Sequence, residues 1–198
     1  MDCLPGSMAD AEGSVACTRC VPGKYQGAPG ATTCSGACER GSFCAEGASA
    51  PLPCSRGTYS GATDLSSAAQ CMATDPGLYA PTGSTQQVPC SPGTVAPNAN
   101  MGACLKCEAG TFQEDGGGTA CDVCIAGSYC RVGAAAALPC VAGTFSSATS
   151  LASPEECSVC PLGAACSTGA TEPGAMARSK VPLLQQPTRL PTAPEAYT

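Results

Sequence analysis

Eighteen cysteines in a chain of 198 residues constrain the fold more than any other feature. Large side chains able to fill a single core are scarce: there is no Trp, with five Tyr and three Phe. Much of the 43% hydrophobic fraction is Ala and Cys, which bury little area each. At that cysteine density, covalent links must stand in for the missing core, as in small disulfide scaffolds. Disulfides persist only in oxidising surroundings, so the chain reads as extracellular or lumenal, a secreted or cell-surface protein.

The cysteines obey one rule at two scales. Cys3, Cys17, Cys20 and Cys34 recur 87 residues later as Cys90, Cys104, Cys107 and Cys121. Cys38, Cys44, Cys54 and Cys71 recur 86 residues later as Cys124, Cys130, Cys140 and Cys157. The local sequences agree as well, "GSFCAEGASAPLPCSRGTYSGATDL" against "GSYCRVGAAAALPCVAGTFSSATSL". A tandem duplication divides the chain into residues 1–89, 90–175 and a Pro-rich basic tail or linker, 176–198. Within each long repeat, nine cysteines in all open the pattern C-x-x-G. Two residues after each Gly comes an aromatic slot, occupied by Tyr25, Phe43, Tyr59, Phe112, Tyr129 and Phe145 in six of the nine. The other nine cysteines close these units after 13, 16 or 5 residues, so opener and closer alternate throughout.

One unit lacks both cysteines. Shifting Cys160 and Cys166 back by 86 residues gives Thr74 and Ala80, in "TDPGLYA", where the Gly and the aromatic survive. Joint loss suggests that the two are normally bonded to each other, since losing one alone would leave an unpaired thiol. The expected pairs are therefore nearest neighbours: Cys3–Cys17, Cys20–Cys34, Cys38–Cys44, Cys54–Cys71, Cys90–Cys104, Cys107–Cys121, Cys124–Cys130, Cys140–Cys157 and Cys160–Cys166. An interleaved ladder, with each closer bonded into the next unit, remains the alternative, because counting alone fixes no connectivity.

Physically, the Gly is expected in a turn with positive φ or where backbone approaches a sulfur. The aromatic is expected to cover the disulfide of its unit. A closed loop of 13 to 16 residues removes about 3 kcal/mol of unfolded-state entropy. The fold class that follows is small and disulfide-rich, mostly β-hairpin, turn and irregular structure, in an elongated tandem-repeat rod. Units should stack on their neighbours only. Short linkers such as "CTRC", "CLKC", "CDVC" and "CSVC" should limit bending between them.

The pattern C-x-x-G-x-[YF] with C-x-x-C resembles the ephrin-receptor-like cysteine-rich repeat, a relative of EGF-like and TNF-receptor-type modules. The resemblance covers residues 3 to about 166. It implies a place in a receptor ectodomain, a secreted matrix protein, or a surface or flagellar-hair (mastigoneme-like) protein of a protist or alga. The Ala-, Gly- and Ser-rich filler is closer to the last group.

Other chemistries find less support. "CLKC" and "CDVC" approximate a zinc-ribbon spacing, but the chain has no His and the remaining spacings do not form four-ligand sets. A redox reading of C-x-x-C fails because each such pair joins one unit's closer to the next unit's opener. Without His, the usual general base is missing, and no catalytic residue or cofactor site is expected. Glu114–Asp115 and Glu155–Glu156 read as solvated loop charge rather than calcium ligands. "GGG" at 116–118 lacks the flanking strand and helix of a phosphate loop. A net charge of −6 without a basic stripe argues against nucleic acid. No run is long enough to span a membrane. No N-x-[ST] sequon occurs, which leaves O-linked glycans open. "MDCLPGS" enters the cysteine pattern with no export signal, so the chain reads as a mature product or a fragment of something longer.

The tail carries Arg178, Lys180 and Arg189 against Glu195, opposite in sign to the acidic body. It reads as a linker, or as an arm anchored by Val181, Leu183, Leu184 and Leu190 that docks on an acidic neighbouring copy. The functional expectation is a non-enzymatic structural protein: a rigid rod within a filament, coat or surface appendage. It would self-associate head to tail or bind other extracellular proteins. A ligand-binding or spacer region of a receptor ectodomain is the alternative, and zinc-binding cysteine clusters a weaker second one.

Overall fold

The structure, a computed structural model, describes residues 2–11 and 14–175. It consists of ten antiparallel two-stranded hairpins in chain order and two single-turn 3-10 helices. Hairpins 1 to 5 pair Ser7–Met8 with Thr18–Arg19, Lys24–Tyr25 with Gly36–Ala37, Ser42–Phe43 with Leu52–Pro53, Thr58–Tyr59 with Met72–Ala73, and Leu78–Tyr79 with Val88–Pro89. Hairpins 6 to 10 pair Thr94–Val95 with Leu105–Lys106, Thr111–Phe112 with Asp122–Val123, Ser128–Tyr129 with Leu138–Pro139, Thr144–Phe145 with Ser158–Val159, and Ala164–Ala165 with Gly174–Ala175. Every strand is two residues long. The fold is thus a disulfide-rich array of hairpin modules, with the cysteine-less "TDPGLYA" unit forming hairpin 5 like any other.

Each hairpin begins with the same turn. In nine of the ten the residue after the opener accepts the N–H of the residue after the Gly, as in Leu4 from Ser7 (3.1 Å) and Ser55 from Thr58 (2.9 Å). Pro5, Pro22, Pro76 and Pro92 sit second in this turn and the Gly third, with φ +80° to +88° in those four hairpins. Pro followed by a positive-φ Gly is the type II turn pattern. Where Thr follows the Gly, its hydroxyl donates to the same carbonyl, as Thr94 does to Ser91 at 2.6 Å, and Ser7 does the same to Leu4 at 2.7 Å.

The expected linkers prove to be strands. "CTRC", "CLKC", "CDVC" and "CSVC" contain Thr18–Arg19, Leu105–Lys106, Asp122–Val123 and Ser158–Val159, the second strands of their hairpins. Each stapled hairpin therefore closes after its staple rather than before it, and no free linker separates one from the next. The reason is economy of backbone bonding: two residues between cysteines are enough to pair with the two residues after the Gly.

Packing also reaches further than nearest neighbours. Lys24 of hairpin 2 forms an ion pair with Asp64, in the loop of hairpin 4, at 2.9 Å. A Cβ added to Gly6 of hairpin 1 would collide with the Gly47 carbonyl of hairpin 3. Contacts thus run to the next hairpin and the next but one, and the array stays quasi-one-dimensional. Among the described residues cysteines make up most of the buried apolar set; Leu65 and Leu151, 86 residues apart, are the only leucines in it, both 4% exposed.

Candidate functional site

The repeated junction between hairpins is the feature around which the chain is built. Four backbone hydrogen bonds form at each of nine junctions. Between hairpins 1 and 2, Gly6 N–H donates to Gln26 (2.7 Å) and Ala9 N–H to Ala31 (2.9 Å). In return Cys20 N–H donates to Gly6 (2.9 Å) and Gly30 N–H to Cys3 (2.8 Å). The same four roles, shifted along the chain, are filled at every junction through hairpins 9 and 10. They pass unchanged across the boundary between the long repeats, where Cys90 N–H donates to Gly77 at 3.0 Å. Each bond contributes about 0.5–1.5 kcal/mol net, so a junction depends on all four together.

Two backbone positions per hairpin make this ladder possible, and every positive-φ residue described occupies one of them. The first is the turn Gly. The second lies in the hairpin loop and is filled by Gly30, Gly47, Gly83 and others, but also by Asp64 (φ 58°), Asn100 (64°) and Ser150 (63°). The loop residue turns its N–H to the opener of the preceding hairpin, and its carbonyl onto the turn Gly of the hairpin before that. At Gly6 through Gly127, eight turn glycines in all, an added Cβ would collide with that carbonyl. The close approach expected at this Gly therefore exists, but to a carbonyl oxygen two hairpins away rather than to a sulfur.

The structure closes nine disulfides: Cys3–Cys17, Cys20–Cys34, Cys38–Cys44, Cys54–Cys71, Cys90–Cys104, Cys107–Cys121, Cys124–Cys130, Cys140–Cys157 and Cys160–Cys166. No cysteine is left free, so no thiolate is available as a zinc ligand. Among the described residues no cluster of three or more metal-ligating side chains occurs. The aromatic slot is half-buried, and Tyr129 of hairpin 8 packs on Cys140, Leu151 and Cys157 of hairpin 9. That ring covers the following hairpin's disulfide, whereas the sequence suggested its own. The cause is the junction itself, which lays the slot residue beside the next loop, as in the Tyr129–Leu151 bridge.

Hairpin 5 replaces its disulfide with polar chemistry. Thr74 and Ala80 are 1% and 0% exposed, in the places where other hairpins bury sulfur. The Thr74 hydroxyl accepts the Met101 N–H at 3.0 Å, beside the ordinary junction bond from the Ala80 N–H to the Met101 carbonyl at 3.0 Å. On the surface, Gln87 accepts the Asp75 N–H (2.9 Å) and donates to the Asp75 carboxylate (2.8 Å). The sequence marked the lost cysteines but not these replacements, which show only as a Thr, an Asp and a Gln in ordinary positions.

The carboxylate pairs have structural surroundings. Glu156 accepts the Ala152 N–H at 3.1 Å at the start of the 3-10 turn Pro154–Glu156. Gln70, 86 residues earlier, accepts the Ser66 N–H at 2.6 Å in the same place, so the role requires an oxygen and not a charge. The adjacent Glu155 carboxyl is held below its ordinary range, chiefly by its own backbone N–H. Glu114 and Asp115 are exposed in a loop that Gln113 closes through Ala120 (2.7 Å) and Asp115 N–H (2.9 Å). Gln26 closes the equivalent loop 87 residues earlier through Thr33 at 2.8 Å. No helix among the described residues is long and apolar enough to cross a membrane. The tail residues Val181, Leu183, Leu184 and Leu190 lie outside the described residues.

Comparison with protein-family models and with curated proteins gives no match to this chain.

Proposed function

We propose that the protein is an extracellular structural protein, a stapled repeat rod that serves within a filament, coat or cell-surface appendage. The observation that carries this reading is the sameness of the nine junctions. One four-bond pattern, uninterrupted from Gly6 to Ala170, suits a chain whose task is to hold a fixed form over a distance. Nine disulfides require an oxidising compartment, which supports secretion or display outside the cell. The C-x-x-G-x-[YF] unit supports kinship with ephrin-receptor-like repeats, as one more stapled module used outside cells. A second reading, a receptor spacer or docking segment, draws on the exposed aliphatic side chains of the second strands: Leu52, Met72, Leu105 and Leu138 are 44–53% exposed. Electron microscopy of the purified, non-reduced protein tests the leading reading. Unbranched rods or filaments are expected; rounded particles that do not assemble would overturn it in favour of the receptor alternative.

A further inference from the structure

Tension along this chain bypasses most of its residues. A disulfide carries load straight from opener to closer, so the loop between them is shielded. Only the runs between one staple and the next can lengthen. Several are two residues long, such as Thr18–Arg19 and Leu105–Lys106. The short staples of hairpins 3 and 8, Cys38–Cys44 and Cys124–Cys130, leave residues 45–53 and 131–139 outside. Hairpin 10 likewise leaves 167–175 outside Cys160–Cys166. The longest run is the eighteen residues 72–89 between Cys71 and Cys90, which hold all of hairpin 5.

These runs are held in unlike ways. Residues 45–53 take part in two junction bonds, Gly47 N–H to Cys20 (2.8 Å) and Gln26 N–H to Ala48 (3.2 Å). The other two bonds of that junction, Cys38 N–H to Gly23 and Gly23 N–H to Cys44, sit on the staple itself. Such a run can peel away while its junction stays half made. Hairpin 5 has no such anchor. All eight bonds of its two junctions end on Thr74, Gly77, Ala80, Gly83 or Ser84, as in Gly57 N–H to Ala80 (2.7 Å) and Asn100 N–H to Thr74 (2.9 Å). The bonds share the load, so hairpin 5 opens as one unit. Its opening parts the array into two stapled blocks, hairpins 1–4 and 6–10, joined by a single run of chain.

We propose that this chain carries a built-in extensible joint: under tension it lengthens without breaking a covalent bond, by short steps at hairpins 3, 8 and 10 and one long step at hairpin 5. The proposal rests on the structural reading above in one respect, that load passes along the chain. Staples keep hairpins 4 and 6 in shape beside the released run, so relaxation brings the same surfaces back together and the long step reverses. The absent cysteine pair at Thr74 and Ala80 then sets how far the chain can stretch.

The test pulls the oxidised full chain in an optical trap between tags fused at its two ends. Fully extended, the hairpin-5 run reaches about 60–65 Å and each shorter run about 30 Å. One long release is expected, equal to the first length less the span it covers when folded, and it should close again on relaxation. In Thr74→Cys/Ala80→Cys, with the new disulfide verified by intact mass, the long release should fall to that of a short run, about 30 Å fully extended. A second pair of variants needs no new disulfide. Six Gly and Ser residues inserted between Thr85 and Gln86, both exposed, should lengthen the long release by about 20 Å. The same insert between Ala148 and Thr149, shielded by Cys140–Cys157, should alter no release. A long release indifferent to the Thr85–Gln86 insert overturns the joint, as does covalent rupture with no long release before it. Rods seen by electron microscopy alongside either result leave the structural reading standing alone. Rounded particles that still show the insert-dependent release remove that reading and keep the joint.

Discussion

The turn glycine of each hairpin meets two demands at once, a positive φ and a surface bare enough for a carbonyl to rest on. The two can be separated. Gly143 has φ 88° and open space above it, so Gly143→Ala should cost only the left-handed strain, about 1–2 kcal/mol. Gly57 has φ 86° with the Asn100 carbonyl against it. Gly57→Ala should cost about 1–3 kcal/mol more, the usual range for overpacking. Amide exchange of the local junction, measured without reduction, reads the difference, and equal effects would mean that the socket is not occupied. Thr74 is a second test at this scale. Thr74→Val keeps the shape but leaves the buried Met101 N–H without its hydroxyl acceptor, and should loosen the hairpin 5–6 junction by about 1–3 kcal/mol. The turn was legible because a Gly recurs three residues after each opener, where a positive φ is needed. Its partner two hairpins away was not: a backbone carbonyl carries the contact, and Gly47, Asp64, Asn100 and Ser150 present it equally well.

At the level of single elements, hairpin 5 is the one link without a covalent staple. Limited proteolysis in mild denaturant should cut first between residues 81 and 88, in its loop, and early cleavage elsewhere would show that the polar substitutes are as strong as sulfur. Restoring the staple is the complementary experiment. Thr74 and Ala80 are six residues apart, the separation of Cys38–Cys44, Cys124–Cys130 and Cys160–Cys166. The double variant Thr74→Cys/Ala80→Cys should oxidise to a tenth disulfide, seen as two protons lost in intact mass. It should gain about 2 kcal/mol for a loop this short. The number of units could be read from the C-x-x-G repeat, including the one without cysteines. Strand pairing could not, because two-residue strands show no alternation and four of the second strands lie inside C-x-x-C, where they resemble linkers.

Over the whole molecule, stability is distributed. Among the described residues the one apolar cluster is the small one of Cys140, Leu151 and Cys157 in hairpin 9, and the largest fully buried side chains are Thr74 and ten cysteines. Reduction of the disulfides should therefore unravel the array rather than soften it, with loss of hairpin amide protection throughout. Long-range charge contributes little: Lys24–Asp64 is the one ion pair among the described residues, and its side chains are 38% and 46% exposed. What keeps the array in line is the succession of four-bond junctions, each reaching at most two hairpins along. Small-angle X-ray scattering of the oxidised monomer, at concentrations too low for end-to-end association, tests that most directly. A compact domain of this length has a radius of gyration of about 16 Å. The stack predicts a value well above that, with a rod-like cross-section profile; a value near 16 Å with a symmetric distance distribution would contradict it.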